Sequence, residues 1–272
     1  MSYTLWSGEF IQTGGATIAQ VLYMLGVEPV RDRYGRVSDI RLIPSAQLGR
    51  PRIDVVVQTS GQLRDLAVSR LFLISRAVRM AAEAGDEQYD NGVKAGVEES
   101  ERYLIDKGIA PKQAREMAAY RVFGGAGGDY GTGIQSMVEQ GNAWDDEQQI
   151  ADIYMNNMGA FYGDQEHWMS DVHEAFTAAL TRTDVVVQPR QNNTWGALTL
   201  DHVYEFMKAY QQRISQSQNR ADAKGMVMEK QTSQLTDAQE QQQSPVSSLL
   251  VVAVVVVLFI VLVVALRRRR KQ

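Results

Sequence analysis

A β-branched run that turns directly into a helix is the feature that most constrains the fold of this chain. Residues 53–58 read Ile-Asp-Val-Val-Val-Gln, which is typical of a strand buried on both faces of a sheet. Thr-Ser-Gly at 59–61 ends the run, and an apolar helical pattern extends from 63 to 84. A buried strand followed by a helix predicts an α/β fold, and such folds bind their ligands at the carboxyl edge of the sheet.

Polar side chains are crowded at the carboxyl end of this strand and form the first candidate site. They are Gln58, Thr59, Ser60, Gln62, Arg64 and Asp65. The free backbone N–H groups of the turn add to the site's capacity to bind a ligand. Two plainer interpretations remain open, because Thr59 or Ser60 can cap the helix and Arg64–Asp65 can be ordinary surface charge.

The composition excludes several classes of function. The chain has no cysteine, which rules out disulfides, thiolate metal sites and cysteine nucleophiles, and only three histidines. Five of its 28 lysines and arginines lie at 267–271, which leaves 23 basic against 32 acidic residues, a charge of −9, for the rest. An acidic body argues against a nucleic-acid partner, because phosphate binding needs a clustered basic surface.

Apolar periodicity predicts further elements along the chain. They are an edge strand at 37–43, helices at 90–107, 147–158 and 166–180, and a strand at 184–188. On the helix at 166–180, His167 and Asp171 would be i,i+4 neighbours able to share a ligand. An accidental surface pair is the alternative for these two residues.

A glycine-rich stretch at 122–133, Val-Phe-Gly-Gly-Ala-Gly-Gly-Asp-Tyr-Gly-Thr-Gly, cannot form a regular helix or strand throughout. It lacks the lysine of a nucleotide phosphate loop and the strict G-x-G-x-x-G dinucleotide pattern. We therefore expect no bound nucleotide. The composition leaves open a loop that lines a large flat ligand and a plain connecting loop.

The C-terminal region predicts a membrane anchor. Residues 249–266 contain 18 residues with no charge and no glycine, close to the length that spans a hydrocarbon core of about 30 Å. The alternative is a buried core helix, against which the following Arg-Arg-Arg-Arg-Lys argues. We predict a Gln/Ser-rich linker at 211–245, a transmembrane helix at 246–266 and a basic tail at 267–272.

Two features of the sequence conflict over the orientation of this anchor. The positive-inside rule places the basic tail in the cytoplasm, and thus predicts an inner-membrane protein with its body in the periplasm. Residues 1–10, however, have no basic region and no apolar core of signal-peptide length. Either the body is cytoplasmic and the chain is a tail anchor, or an upstream export signal is missing.

Four segments together resemble a known family, the large porphyrin-binding subunit of cobaltochelatase and the similar H subunit of magnesium chelatase. The matching segments are Leu22–Val37, Leu48–Asp65, Tyr120–Ile134 and Asn192–Met207. The resemblance implies a chelatase-type layered α/β domain at 1–210 that holds a tetrapyrrole. The implied reaction inserts a divalent metal, cobalt or magnesium, into the ring, with separate ATPase subunits as partners. Membrane-anchored relatives beside haem-uptake systems imply the removal of iron from haem.

The resemblance also supplies candidate site residues, with no metal ligand identified. Asp65 and Asp201 are the candidate catalytic proton carriers, because the chemistry must accept or deliver two pyrrole protons. The candidate ligand-binding residues are Gln58, Ser60, Arg64, Arg121, Tyr130, Arg190, Asn193 and Trp195. Among them, Arg64 or Arg190 would hold propionates, and Tyr130 and Trp195 would stack on the macrocycle.

The family pattern differs from this chain at both ends. Family members carry a large region before the equivalent of Met1, and they usually continue with a glycine pair and another long region after the equivalent of Phe206. We therefore expect a fragment of the catalytic body on a membrane anchor, with one wall of the cavity supplied from elsewhere. The alternative is a non-catalytic, membrane-tethered binding or accessory subunit.

Overall fold

The computed structural model describes residues 1–126, 134, 147–191 and 224–230. The chain divides into two compact units, 1–229 and 230–272, and nearly all described residues belong to the first. The strands are β1 (Ser2–Leu5), β2 (Val27–Arg31), β3 (Val37–Leu42), β4 (Val56–Thr59), β5 (Val122–Gly124), β6 (Ala160–Phe161), β7 (Val185–Gln191) and β8 (Lys224–Lys230).

The described helices connect these strands or cover them. They are α1 (Ser7–Gln12), α2 (Ala16–Leu25), α3 (Ser45–Leu48), α4 (Gly61–Leu66), α5 (Val68–Ala82), α6 (Gly92–Asp106), α7 (Pro111–Met117), α8 (Glu147–Asn157) and α9 (His173–Leu180).

The main sheet has six strands in the order β6-β5-β4-β1-β7-β8, and β2 and β3 form a separate antiparallel pair. Strand β4 runs parallel to both β1 and β5, and β1 also runs parallel to β7. Strand β6 closes one edge in the antiparallel direction. The α/β fold expected from the sequence is confirmed.

Both faces of the sheet are covered, as the β-branched run of β4 predicts. Val56 packs in one apolar cluster with residues of α6, α7, α8 and α9, whereas Val57 packs in a second cluster with residues of α2 and α5. Alternation of side chains along a strand gives each face its own set of apolar groups. The buried apolar positions of α5 (Leu71, Ile74, Ala77, Val78 and Ala81) follow the predicted helical stripe.

Five expectations about secondary structure need correction. The strand predicted at 53–58 is observed only from Val56 to Thr59. The helix predicted at 63–84 is interrupted at Ala67, which has a non-helical φ of −130°, and Leu66 is 55% exposed instead of lying in the stripe. The helix predicted at 166–180 begins only at His173. Strand β7, predicted to end at residue 188, extends to Gln191. Strand β8 lies within the range predicted as linker.

Within the described part of the chain, no helix is long and apolar enough to cross a membrane. The apolar stretch at 249–266 lies outside the described residues.

The start of β4 is fixed by Arg52, which is 1% exposed. Its guanidinium donates to the carbonyls of Gly26 and Ile43, at 2.8 Å each, and forms an ion pair with Glu87 at 2.7 Å. Gly26 ends α2 in the left-handed region, with φ +76°, and a Cβ there would lie 2.2 Å from Nη1 of Arg52. Arg52 thus joins the β2–β3 unit to the sheet through a contact that only glycine permits.

We predict that Gly26→Ala destabilises the fold more than the matched variant Gly49→Ala. Both glycines end a helix with positive φ, but a Cβ at Gly49 meets no atom within 4 Å. Gly49→Ala should cost about 1–2 kcal/mol for the left-handed backbone alone. Gly26→Ala should cost about 1–3 kcal/mol more, because the methyl group displaces Arg52. Urea unfolding of the whole chain in a mild detergent measures the free energy of unfolding of both variants. Equal losses would contradict the close contact between Gly26 and Arg52.

Candidate functional site at the carboxyl edge of the sheet

Ser60 lies where β4 ends and α4 begins. Its backbone N–H donates to the carbonyl of Leu5, the last residue of the neighbouring strand β1, at 3.1 Å. Its Oγ accepts from the backbone N–H of Leu63 at 3.3 Å, which is a helix N-cap. The interpretation that Ser60 caps the helix is therefore confirmed, and its predicted contact with a ligand stays a prediction.

Arg64 is not surface charge, because its side chain is only 5% exposed. Its Nε donates to Asp65 at 2.9 Å, and its Nη1 lies 3.2 Å from the hydroxyl of Tyr162. The same Nη1 donates to the carbonyls of Gly125 and Ala126 at 3.4 and 3.3 Å. Arg64 therefore connects the helix after β4 to the first residues of the glycine-rich stretch.

The environment of Arg64 keeps its guanidinium charged. Burial by itself lowers the pKa of a guanidinium, but the hydrogen bonds with Asp65 and Tyr162 outweigh burial and raise the pKa of Arg64 above its ordinary value. Asp65 is the exposed member of the pair, with a side chain 49% exposed. The edge thus presents a half-exposed carboxylate supported by a buried cation.

The glycine-rich stretch begins beside Ser60 because β5 runs parallel to β4. Gly124 is paired with Thr59, and a Cβ on Gly124 would lie 2.9 Å from the Thr59 carbonyl oxygen. The two strands therefore end at the same edge, where Gly125 and Ala126 follow. Residues 127–133 lie outside the described residues.

Gln58 is buried within the sheet and is not exposed at its edge. Its side chain is 0% exposed, and its Nε2 donates to Ser2 Oγ at 2.9 Å. Its Oε1 accepts from Tyr154 at 3.0 Å and from Thr4 at 3.4 Å. These contacts connect β4 to β1 and to α8. The binding of a ligand by Gln58 stays a prediction.

Arg121 lies at the opposite, amino end of the same strands. It is fully buried, and its Nε and Nη2 form a two-pronged pair with Asp54 at 2.9 and 3.1 Å. Nη2 also donates to Ser100, and Nη1 donates to two backbone carbonyls at 2.8 and 2.9 Å. Since each guanidinium nitrogen has protein partners, the described contacts give Arg121 a structural task. The structure does not bring it together with Ser60, Arg64 and Asp65.

The remaining candidates cannot be placed. Tyr130, Asn193, Trp195 and Asp201 lie outside the described residues. Arg190 belongs to β7, but its side chain also lies outside what the structure describes. The roles predicted for these five residues stay predictions.

A network around His167 takes the place of the predicted His167–Asp171 pair. The ring nitrogens of His167 lie 3.1 Å from Asp164 and 3.4 Å from Glu116. Burial opposes ionisation of Asp164, but hydrogen bonds from the His167 backbone and from Arg79 hold the pKa of this carboxyl below its ordinary value. Among the described residues, no group of three or more histidine, aspartate and glutamate side chains can hold a metal ion.

A cleft of about 410 Å³ lies between the end of α5 and the start of α6. It adjoins the amino end of β4, because Gly92, the first residue of α6, donates its N–H to the Arg52 carbonyl. Its charged lining residues are Glu87, Asp90, Lys94 and Glu98. The cleft and the carboxyl edge are therefore at opposite ends of the same strand.

Sequence reasoning missed Tyr162, Asp54 and Arg52. Asp54 and Arg52 stand in the Arg-Pro-Arg-Ile-Asp segment before β4, and charged residues flanking a buried strand are a usable signal. A glycine inside helix α6, Gly96, is a second signal in the sequence, because it indicates a close contact with the helix. In the structure a Cβ at Gly96 would lie 1.9 Å from Asp54 Oδ2. No spacing in the sequence relates Tyr162 to Arg64, since the two are 98 residues apart.

Comparisons with known proteins identify the family of this chain. The family model described as CobN/Magnesium Chelatase matches residues 1–247. The chain is 35% identical over 207 residues to the chloroplastic magnesium-chelatase subunit ChlH of Oryza sativa subsp. indica, covering 75% of this chain and 14% of that protein. It is 32% identical over 207 residues to the aerobic cobaltochelatase subunit CobN of Pseudomonas aeruginosa, covering 76% and 16% respectively.

A solved structure shows a similar fold. It is the catalytic subunit of cobaltochelatase from Mycobacterium tuberculosis, with a TM-score of 0.72 and 26% identity. The similarity covers 84% of this chain and 19% of that chain. The chain thus spans less than a fifth of the length of each of these three proteins. The sequence motifs, the sheet and the family match agree, and the chain belongs to the CobN/magnesium chelatase family.

Proposed function

We propose that this chain is a tetrapyrrole-binding component of a metal chelatase, and that its ligand binds at the carboxyl edge of the sheet. One observation carries the proposal: Arg64 contacts Gly125 and Ala126. This contact joins two of the sequence segments that resemble the family, 48–65 and 120–134, at the edge where α/β folds bind ligands. The metal is a substrate in this proposal, and cobalt, magnesium and iron are the candidates.

Asp65 is the described residue best suited to proton transfer. When a divalent ion enters a free-base ring, two N–H bonds break and two protons leave, and removal of the ion requires the reverse. A half-exposed carboxylate can accept or return such protons, while the neighbouring Arg64 keeps it close to the edge. Asp201 is the second proton carrier in the proposal.

The other roles are distributed among residues outside the described contacts. Because Arg64 already bonds to Asp65, Gly125, Ala126 and Tyr162, Arg190 is the better candidate for binding propionates. Tyr130 and Trp195 would stack on the ring, and Asn193 would contact its edge.

Other chelatase subunits are the proposed partners. The relatives are named as subunits of chelatases, and this chain spans 14–16% of the length of two of them. We propose that further chelatase regions, and ATPase subunits, act with this domain. A non-catalytic tetrapyrrole-binding subunit remains the second candidate, and the experiment below distinguishes it from the first.

We further propose that residues 249–266 anchor the domain in the inner membrane, with the basic tail in the cytoplasm. The 18 uncharged residues followed by five basic ones support this proposal. A periplasmic domain would fit iron removal from haem during uptake.

The whole chain in detergent should bind protoporphyrin IX and haem, each detected as a shift of the Soret band. Asp65→Asn keeps the shape and the hydrogen-bonding oxygen, so binding should change little. The rate of metal exchange, in the presence of the partner subunits, should fall by about 10²-fold because a proton carrier is lost. Asp39→Asn, at a site 58% exposed on β3, is the matched control and should leave both quantities unchanged.

The absence of any Soret shift with the wild-type chain would contradict the proposed function. Binding with no metal exchange under any combination of subunits would instead establish the non-catalytic candidate.

Protease added to spheroplasts should digest residues 1–210 and leave the tail intact, because the proposed orientation exposes only the domain. Detection of both ends by antibody measures the result. Protection of the domain until detergent is added would show the reverse orientation.

A further inference from the structure

We propose that Tyr162 and Arg64 form a carbonyl clamp that positions the start of the glycine-rich stretch for ligand binding. The carbonyl clamp is defined as the Tyr162 hydroxyl and the Arg64 guanidinium together with the Gly125 and Ala126 carbonyls that they bind. Its effect on the ligand rests on the function proposed above. Tyr162 acts through Gly125 in this proposal, and is therefore a positioning residue.

The hydrogen bonds of the carbonyl clamp form a chain with a fixed direction. Arg64 Nη1 can only donate, so the Tyr162 oxygen accepts from it at 3.2 Å. The single proton of the hydroxyl is then used for the Gly125 carbonyl, to which Tyr162 donates. Because each donor in such a chain polarises the next, the charged guanidinium strengthens the bond to Gly125.

The aromatic ring of Tyr162 is held in place independently of its hydroxyl. Tyr162 is 0% exposed, and its ring meets Trp168 edge-on at 4.8 Å, while Trp168 in turn meets Phe72 at 5.6 Å. A Cβ on Gly124 would lie 3.2 Å from Cε2 of Tyr162, so the ring directly supports the end of β5. Phenylalanine would make the same ring contacts. The Tyr162 hydroxyl is therefore the group that positions Gly125.

The position of the carbonyl clamp connects it to the candidate site. Gly125 and Ala126 follow the end of β5, beside Ser60 and Asp65, and Arg64 Nε bonds to Asp65 itself. One guanidinium therefore contacts both the candidate proton carrier and the start of the glycine-rich stretch. A change at Tyr162 should alter ligand affinity even though Tyr162 is fully buried.

Tyr162→Phe is the test, with Tyr3→Phe as the matched control. Tyr3 is also buried, at 2% exposure, and its hydroxyl donates to Gln20 of α2 at 2.5 Å. Tyr162→Phe removes a buried hydroxyl that bonds to both Arg64 and Gly125, whereas Tyr3→Phe removes one that bonds to Gln20, so both variants should lose stability and Tyr162→Phe should lose more. Only Tyr162→Phe should affect the glycine-rich stretch.

Two readouts are measured on the whole chain in detergent: amide hydrogen exchange of residues 122–126, and the dissociation constant of protoporphyrin IX. With Tyr162→Phe, exchange should become about fivefold faster and porphyrin binding about three- to tenfold weaker, the size expected for one lost hydrogen bond. Arg64→Lys should act in the same direction, because lysine keeps the charge but cannot reach all four partners of Arg64. Tyr3→Phe should leave both readouts at the wild-type values.

Exchange and affinity in Tyr162→Phe that equal those of Tyr3→Phe would overturn the carbonyl clamp. Faster exchange with unchanged affinity would overturn its role in ligand binding and leave a purely structural contact. If the wild-type chain binds no porphyrin, the proposed function fails and so does the ligand role, while the exchange data still decide whether the hydroxyl holds the stretch in place.

Discussion

Buried guanidinium groups hold both ends of the central strand, and the arrangement of the rest of the domain depends on them. Arg52 and Arg121 fix the amino end, through Glu87 and Asp54 and through backbone carbonyls. Arg64 fixes the carboxyl end. A buried cation needs both a counter-charge and full hydrogen bonding, so each of these arginines determines the positions of several segments at once.

This constraint explains why so many polar residues of the Leu48–Asp65 segment point into the protein. Arg52 binds the β2–β3 unit, Gln58 connects β4 to β1 and α8, and Ser60 caps α4. Of the six polar residues predicted at the carboxyl edge, Gln62 and Asp65 are exposed. The segment is thus mainly a frame, and its chemistry is concentrated in one carboxylate and the turn beside it.

The fold could be predicted from the sequence to a large extent, because buried strands and amphipathic helices leave direct periodic patterns. The stripe from Leu71 to Ala81 is an example, and the run at 53–58 contains the first three residues of β4. The break at Ala67 could not be predicted, since no glycine or proline marks it. The helix predicted at 166–180 is wrong over its first seven residues, where Asp164 accepts from the His167 backbone and Met169 takes a positive φ of 64°.

The site could be predicted only in part, for a physical reason that Arg121 and Arg64 illustrate. Both are arginines in motifs that resemble the same family, and both are buried, but they lie at opposite ends of parallel strands. The motifs identify arginines with an important role, but they do not distinguish those that stabilise the fold from those that lie near a ligand. That separation requires the partners, such as Asp54 for Arg121 and Tyr162 for Arg64, which are distant in sequence.

Hydrogen exchange of the whole chain, measured with and without protoporphyrin IX, locates the ligand on the fold. A porphyrin bound at the carboxyl edge should protect residues 59–66 and 122–126. Protection confined to residues 84–98, which line the cleft at the other end of the strand, would contradict binding at the carboxyl edge.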